Sequence, residues 1–413
     1  MQPVGREPCA RKLRHVTYEG PAVPAVVLGG GLTALAVLRE LSRADVPVFA
    51  ADGDDLVAAS KYFRPLPGGP LGQDEDSVEA YFRSVELERA VLFPCSDAWA
   101  GAVSGLPFEI QQRFPSVSAP ARLVKQFADK GAFLEVVQRS SVPHPRTAPM
   151  DDARDLETIA DSELTGYFLK PRDSHAFSTR FGLKGFPIAD RRSASVSIER
   201  AKREGLSLLA QEVIPGPATN HVFLDGYVAR DGTLAALLAR RRLRMFPREF
   251  GNSTMTVSIA IGDAEGAVHS LRRLFEAVGY TGLFDAEYKF DERDGLYKLL
   301  EVNTRAWWQI GLLPGCGIAV SSLAYRDALG EPVDPVTAYE VGRRWVHEFL
   351  DLAAWLRERP RRLNPLVSWR NCEYAIFSQD DTKPFLLSGR RNVRSLLSHA
   401  SSRRTGRWPA CRR

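Results

Sequence analysis

The chain is poor in the cysteine patterns that mark metal or redox sites. Its five cysteines, Cys9, Cys95, Cys316, Cys372 and Cys411, are dispersed with no CxxC pair. This argues against a zinc site and for reduced thiols. No apolar run approaches the roughly 20 residues that span a bilayer. The basic opening MQPVGREPCARKLRH lacks the apolar segment of a secretory signal, so a cytoplasmic location is expected. There is no internal repeat. A GxGxxG fingerprint is also missing: Gly29-Gly30-Gly31 opens a helical pattern, but Ala34 stands at the third glycine position. A basic body is absent as well. The net charge is +5, but residues 388–413 hold eight arginines and no acid, which leaves 47 basic against 50 acidic residues elsewhere. Nucleic acid is therefore disfavoured as a partner of the fold. The tail could touch nucleic acid or anionic lipid, and a disordered end is the simpler expectation.

What the 413 residues do contain is a run of short elements of ordinary globular composition, 44% hydrophobic and 25% charged. Order is expected from Pro24. Ala25 to Leu28 reads as a strand, followed by the glycine turn, a helix over 32–43 and a strand over 46–51, the pattern of a Rossmann-like half. A helix N-terminus at Gly30 offers backbone N–H groups to a dinucleotide or to a substrate carboxylate. A third strand over 90–93 ends in Ser96 and Asp97, which either border a ligand or cap the next helix. Asp129 is read as the N-cap of a helix over 129–138. Lys130 then sits in the first turn, where the helix dipole disfavours a cation unless an anion binds there. Tyr167 to Lys170 is a strand that aims Lys170 at a cleft, and residues 172–185 read as a mobile polar loop. Residues 206–210 form a strand that runs into QEVIPGP at 211–217. A hairpin is expected over 220–230 with Asp225-Gly226 as its turn. Residues 234–239 continue into RRRLR at 240–244, where four arginines in five residues require anions if buried. An amphipathic helix is read over 264–278, and others over 321–329 and 345–357. A strand is read over 372–377.

The stretch from Leu283 to Trp308 carries the sharpest local signal. Phe284, Ala286, Tyr288 and Phe290 share one strand face, and Asp285, Glu287 and Lys289 the other. In the second strand Leu299, Glu301 and Asn303 are read as one face, Leu300 and Val302 as the other. With Asp294-Gly295 in the turn and Asp291 opposite Tyr297, Glu287 faces Glu301 and Asp285 faces Asn303. Like charges so placed repel by about 4 kcal/mol at ~4 Å and an effective dielectric near 20. A divalent cation with oxygen ligands would relieve this. The alternative is a solvated acidic surface in another register.

These pieces, in this order and spacing, resemble the ATP-grasp superfamily of carboxylate–amine ligases: Lys130 in FADKGAF, Lys170 in FLKP, QEVIPG at 211–216, RRRLR at 240–244, DAEYKFD at 285–291 and EVNTR at 301–305. QEVIPGP, the 241–251 stretch and KLLEVNTRAWW make the chain most similar to the D-aspartate ligase-like branch. The resemblance implies an α/β fold: a Rossmann-like N-terminal (pre-ATP-grasp) domain, then a two-lobed α+β ATP-grasp domain whose antiparallel sheets clamp ATP. The divisions expected are a lead-in over 1–20, the Rossmann-like domain over 21–118, the ATP-grasp domain over 119–330, a C-terminal α/β extension over 331–387 and the arginine-rich tail over 388–413.

By the same resemblance, Lys130 and Lys170 would contact ATP phosphates. Gln211, Glu212, Val213 and Ile214 would form the hinge, with Glu212 and Val213 reading adenine through backbone groups, and Asn220 or His221 would stand where an acidic ribose contact is usual. Glu287, Glu301 and Asn303 would hold one or two Mg²⁺, with Mn²⁺ as an alternative ion. Arg305 and one of Arg242 or Arg244 would meet the transferred phosphoryl group. Ser96, Asp97, Gly30 and Trp307, with Trp308, would border the substrates. The loop after Lys170 departs from the glycine-rich pattern of the family. The implied activity joins a carboxylic acid, an amino acid among the candidates, to an amine through an acyl phosphate, releasing ADP and phosphate. Implied partners are the two small substrates, a peptidoglycan or peptide precursor among the options, and a homodimer is allowed. Carboxylation with bicarbonate, a non-catalytic ATP-binding protein and a dehydrogenase using Gly29 to Gly31 are the competing readings.

Overall fold

The computed structural model describes residues 22–51, 53–247, 251–357 and 368–389. The expected lead-in, Asp52, residues 248–250 of the 241–251 motif and nearly all of the arginine-rich tail lie outside these residues. Near the N-terminus, β1 (Ala25–Leu28), β2 (Val48–Ala50) and β3 (Val91–Pro94) form a parallel sheet in the order β2-β1-β3. All eleven strand residues are buried, as a parallel sheet covered on both faces requires. The Gly31–Arg43 helix buries Leu35, Leu38 and Leu41 against it. Gly29, at φ +125°, makes the sharp exit from β1, and any Cβ there would press on Trp99 and Cys95.

A small antiparallel sheet follows, with β4 (Thr147–Met150), β5 (Tyr167–Pro171), β6 (Phe186–Pro187) and β7 (Leu208–Glu212) in the order β4-β7-β5-β6. The stretch after Lys170, expected as a polar loop, instead carries a helix over Ser174–Phe181. Phe177 and Phe181 pack against Phe186, so three aromatics spaced along a polar sequence make a core contact that the composition conceals.

The large sheet contains β8 (His221–Val228), β9 (Leu234–Phe246), β10 (Asn252–Ile259), β11 (Gly282–Asp291), β12 (Leu296–Asn303), β13 (Arg344–Val346) and β14 (Cys372–Tyr374), in the order β12-β11-β8-β9-β10-β13-β14. The Glu265–Val278 helix covers one face, packing Val268, Leu271 and Phe275 against Phe284, Ala286 and Tyr288. Two sequence expectations fail here. Asp225-Gly226 is no turn: β8 runs straight through both, and the chain reverses after Val228. Gly226 serves close packing instead, since a Cβ there would lie 2.0 Å from the Ala236 carbonyl oxygen and 2.8 Å from Phe284. Residues 344–346 and 372–374 add two strands to this same sheet. Trp345 and Val346, expected in a helix, form β13 beside β10, and the helix begins only at Glu348. The sheet therefore continues past the boundary expected at 330.

The 285–303 hairpin keeps the expected pairs Asp285–Asn303 and Glu287–Glu301, but a bulge at Leu300 shifts the rest by one residue, so Tyr288 faces Leu299 and Asp291 faces Leu296. The bulge moves Leu299 to the core face with Val302, correcting the expected face assignment, and leaves Glu301 and Asn303 on the polar face. The Leu299 N–H then reaches the Pro143 carbonyl at 2.8 Å, tying the hairpin edge to the connector from the small sheet.

Replacing Gly226 by alanine is expected to destabilise the protein by roughly 3 kcal/mol, the overpacking range, measured by denaturant unfolding. A loss below about 1 kcal/mol would show that β8 and β9 can separate to admit a methyl group.

Candidate functional site

Opposite the core helix, the large sheet presents its charged face. Glu287 and Glu301 stand side by side on β11 and β12. Glu287 is held by Arg242 Nη2 at 2.9 Å and His221 Nδ1 at 2.7 Å. Burial pushes its carboxyl up, but Arg242 and His221 outweigh this and keep it well below the usual carboxylate range. Glu301 accepts from Lys130 Nζ at 3.3 Å. One row further, Asp285 accepts from Asn303 Nδ2 at 2.9 Å, and the Asn303 carbonyl oxygen accepts from Arg305 Nη2 at 3.3 Å.

The arginines of β9 alternate, as a strand requires. Arg240, Arg242 and Arg244 are buried on the charged face. The anions their burial demands come from the chain itself. Arg240 bonds Asp225 at 2.6 Å and Asp285 at 2.9 Å and lies over the Phe223 ring. Burial pushes the Asp225 carboxyl well above its ordinary range; Asp285 adds to this, and Arg240 opposes it. Arg244, expected as an alternative phosphoryl contact, is bonded to the fully buried Asp351 at 2.7 Å, beside Thr254 and Trp369. Of the two expected candidates, Arg242 is the one that touches the acidic hairpin.

Lys130 and Lys170 approach the same carboxylates from the small sheet and its preceding helix. Asp129 caps that helix, accepting from the Gly131 and Ala132 N–H groups, and Arg172 braces it at 2.9 Å. Lys170 Nζ donates to Gln211 Oε1 at 3.3 Å. Burial, then Lys130, lower the Lys170 ammonium to about 8, with Glu301 and Glu287 opposing. Between the sheets lies a cleft lined by Lys130, His144, Thr147, Lys170, Gln211 and Leu300. Along its hinge the Glu212 N–H goes to Arg146 and the Val213 N–H to Gly166, both at 2.8 Å. The Val213 N–H is thus committed, whereas that of Ile214 has no partner among the described residues. The Glu212 carboxylate is pushed up by burial and pulled down further by Arg293, bonded at 2.8 Å. Asn220 turns to Glu292 at 2.9 Å, and His221 turns to Glu287.

From the N-terminal unit, Asp97 bonds Arg305 Nε at 2.9 Å and is 67% exposed. Ser96 accepts from the Trp99 N–H, so its hydroxyl acts as a helix cap. At Gly30 the helix end is not open to a ligand through the Gly31 N–H, which bonds Asp54 Oδ2 at 2.8 Å. Trp307 is buried, its indole N–H without a partner among the described residues, and Trp308 is part-buried beside His347.

Two carboxylates and an amide oxygen on adjacent rows fit a hard divalent ion. Mg²⁺ is commonly bound through one or two carboxylates, with phosphates and waters completing its shell. Among the described residues no group of three His, Cys, Asp or Glu side chains could hold an ion alone. The sequence reading missed Asp285, Arg240 and Asp225 as a linked set, Asp54 as a helix cap and Asp351 as the partner of Arg244. Asp285 was legible on the polar strand face; the others need tertiary contacts. No helix among the described residues is long and apolar enough to cross a membrane.

No family model matches the chain. The D-aspartate ligase of Enterococcus faecium (strain Aus0004) is 25% identical over 301 residues, 68% of this chain and 70% of that protein. In structure the chain is similar to the biotin carboxylase domain of Hydrogenobacter thermophilus 2-oxoglutarate carboxylase, in complex with MgADP, ADP and bicarbonate. The TM-score is 0.59, with 14% identity over 79% of this chain and 74% of that one. It is also similar to an L-amino acid ligase from Bacillus licheniformis, with a TM-score of 0.54 and 14% identity over 76% of this chain and 75% of that one. These likenesses bear out the resemblance to ATP-grasp carboxylate–amine ligases read from the motifs.

The lowered Lys170 value has a stability consequence. The unfolded chain holds this proton up to roughly pH 10.4, whereas the folded protein releases it near 8. The cost of the buried charge is therefore full below pH 8 and fades as pH rises towards 10. Lys170→Met is expected to unfold at higher denaturant concentration than the wild type at pH 7, with the gain shrinking between pH 8 and 10.

Proposed function

We propose that this chain, with the fold of the ATP-grasp enzymes and a D-aspartate ligase among its relatives, joins a carboxylic acid to an amine at the expense of ATP, through an acyl phosphate, releasing ADP and phosphate. The observation that carries the reading is the convergence of Lys130, Lys170 and Arg242 on the facing carboxylates Glu287 and Glu301.

A carboxylate resists attack by an amine because its leaving group is poor; phosphorylation supplies a good one. That transfer needs positioning and charge neutralisation more than covalent help from the protein. In this reading the two sheets close on the nucleotide. The adenine edge meets the Glu212 carbonyl and the uncommitted Ile214 N–H, with Gln211 and Val213 shaping the hinge and Asn220 at its far end. Lys130 and Lys170 lie against the phosphates. Arg242 and Arg305 hold the acceptor carboxylate and offset the charge that develops as the phosphoryl group moves. Glu287, Glu301 and the Asn303 oxygen would hold Mg²⁺, which when bound neutralises phosphate charge. Asp97, on the N-terminal side of Arg305, borders the acid or the amine, and Gly30 and Ser96 shape the turns beside it; Trp307, expected there too, is buried in the core and backs this wall. An amino acid is the favoured acid, given the names of the two ligases to which the chain is similar. A peptidoglycan or peptide precursor as amine, a cytoplasmic site of action, Mn²⁺ as a substitute ion and a homodimer belong to the same proposal. So does the division at 118 between the N-terminal unit and the nucleotide-binding one.

The test is phosphate release from ATP with Mg²⁺ over pools of carboxylic acids and amines, with mass spectrometry of the products. An amide accompanied by ADP is expected, whereas a carboxylated product would replace this reading by the bicarbonate one. Glu301→Gln is expected to abolish turnover, more than a hundredfold, with its circular dichroism spectrum unchanged. Full activity in that variant would remove Glu301 from the metal site.

A further inference from the structure

Behind the facing glutamates lies a set of polar side chains that the proposed reaction does not use. Asp285 is buried and contacts two donors. Its Oδ1 accepts from Arg240 Nη2 and its Oδ2 from Asn303 Nδ2, both at 2.9 Å. Arg240 is itself immobilised, wholly buried, bonded to Asp225 at 2.6 Å and stacked at 3.9 Å over Phe223. The strand register puts Asp225, Asp285 and Asn303 in one row across β8, β11 and β12.

An amide has two chemically opposite ends, and an ionised carboxylate only accepts. Asp285 therefore fixes which end of Asn303 faces inward: the NH₂ group meets Asp285, and the carbonyl oxygen is left on the side of Arg305 and the glutamates. Were the amide reversed, its NH₂ group would point at the place where a cation is needed, and it would repel that ion.

We infer that Asp285, braced by Arg240, is a positioning residue that sets the amide of Asn303 so that its oxygen is offered to a divalent cation carried by the nucleotide. This rests on the metal reading above and deepens it. In Asp285→Asn the new amide would give its oxygen to Arg240, which only donates, and its NH₂ group to Asn303. Asn303 would then turn its oxygen inward and its NH₂ group towards the ion. Exchanging the two residues, Asp285→Asn with Asn303→Asp, sets a donor at 285 against an acceptor at 303, with an oxygen of 303 still free to face the ion, and keeps the original number of carboxylates.

The experiment is calorimetric binding of a non-hydrolysable ATP analogue with and without Mg²⁺. Wild-type protein is expected to bind the analogue more tightly with the ion. Asp285→Asn should bind it normally without Mg²⁺ and lose about tenfold or more of the Mg²⁺ enhancement, the range for residues that orient metal ligands. The exchanged double variant should recover the enhancement to within about threefold of wild type. An Asp285→Asn protein with wild-type enhancement overturns the inference. So does one that weakens binding equally with and without the ion and is not repaired in the double variant, which is a merely structural effect. If the single variant does not fold, the double variant decides alone by keeping or losing the enhancement. Wild-type binding that ignores Mg²⁺ overturns the metal reading itself, and this inference with it.

Discussion

Two carboxylates facing each other across a β-ladder repel unless positive charge lies nearby, and much of the charged face is arranged around that constraint. Arg242 reaches Glu287 from inside the large sheet, where the His221 ring also hydrogen-bonds it, and Lys130 reaches Glu301 from the helix before the small sheet. Lys170 lies just behind, its ammonium weakened by burial and by Lys130. The protein thus carries its own counter-charges in the place where a metal–nucleotide would bring others. A ligand entering the cleft exchanges partners more than it creates them. The Lys130 contact is the longer and more exposed of these ion pairs, and so the cheaper to give up.

The alternation of β9 explains how so much positive charge is tolerated. A buried arginine is costly unless its donors are satisfied. Here each arginine on the charged face has a carboxylate at hydrogen-bond distance: Asp225 and Asp285 for Arg240, Glu287 for Arg242, Asp351 for Arg244. A slip of β9 by one residue would turn all three to the apolar side and leave those acids without a cation. The same pairs that suggest chemistry at one end of the row therefore set the strand register at the other.

Much of this was readable from residue order. The facing glutamates are expected from a register with Asp291 opposite Tyr297, whereas the turn sets Asp291 opposite Leu296 and the bulge at Leu300 brings Glu287 back opposite Glu301. The bulge at Leu300 was not readable, because nothing in KLLEVN marks the extra residue; the Leu299 N–H beside it bonds Pro143, far away in sequence. Asp225-Gly226 looked like a turn because that dipeptide so often is one. Its actual roles, a buried acid for Arg240 and a gap for the Ala236 carbonyl, exist only once β9 and β11 lie alongside. The helix after Lys170 was hidden by its polar composition. The destination of Arg244 was beyond reach, since its acid comes 107 residues later.

The attachment of β13 and β14 bears on how this protein can be divided. Met255, Thr256 and Val257 of β10 are paired by Val346, Trp345 and Arg344, and Arg244 depends on Asp351 from the helix that follows. A fragment cut after residue 330 would keep every motif of the proposed nucleotide site. It would also expose an unpaired strand edge, ready to add a strand from another molecule, and strand a guanidinium in the interior. The C-terminal segment, which contributes no proposed reacting group, thereby replaces the long edge of β10 with that of a three-residue strand, β14.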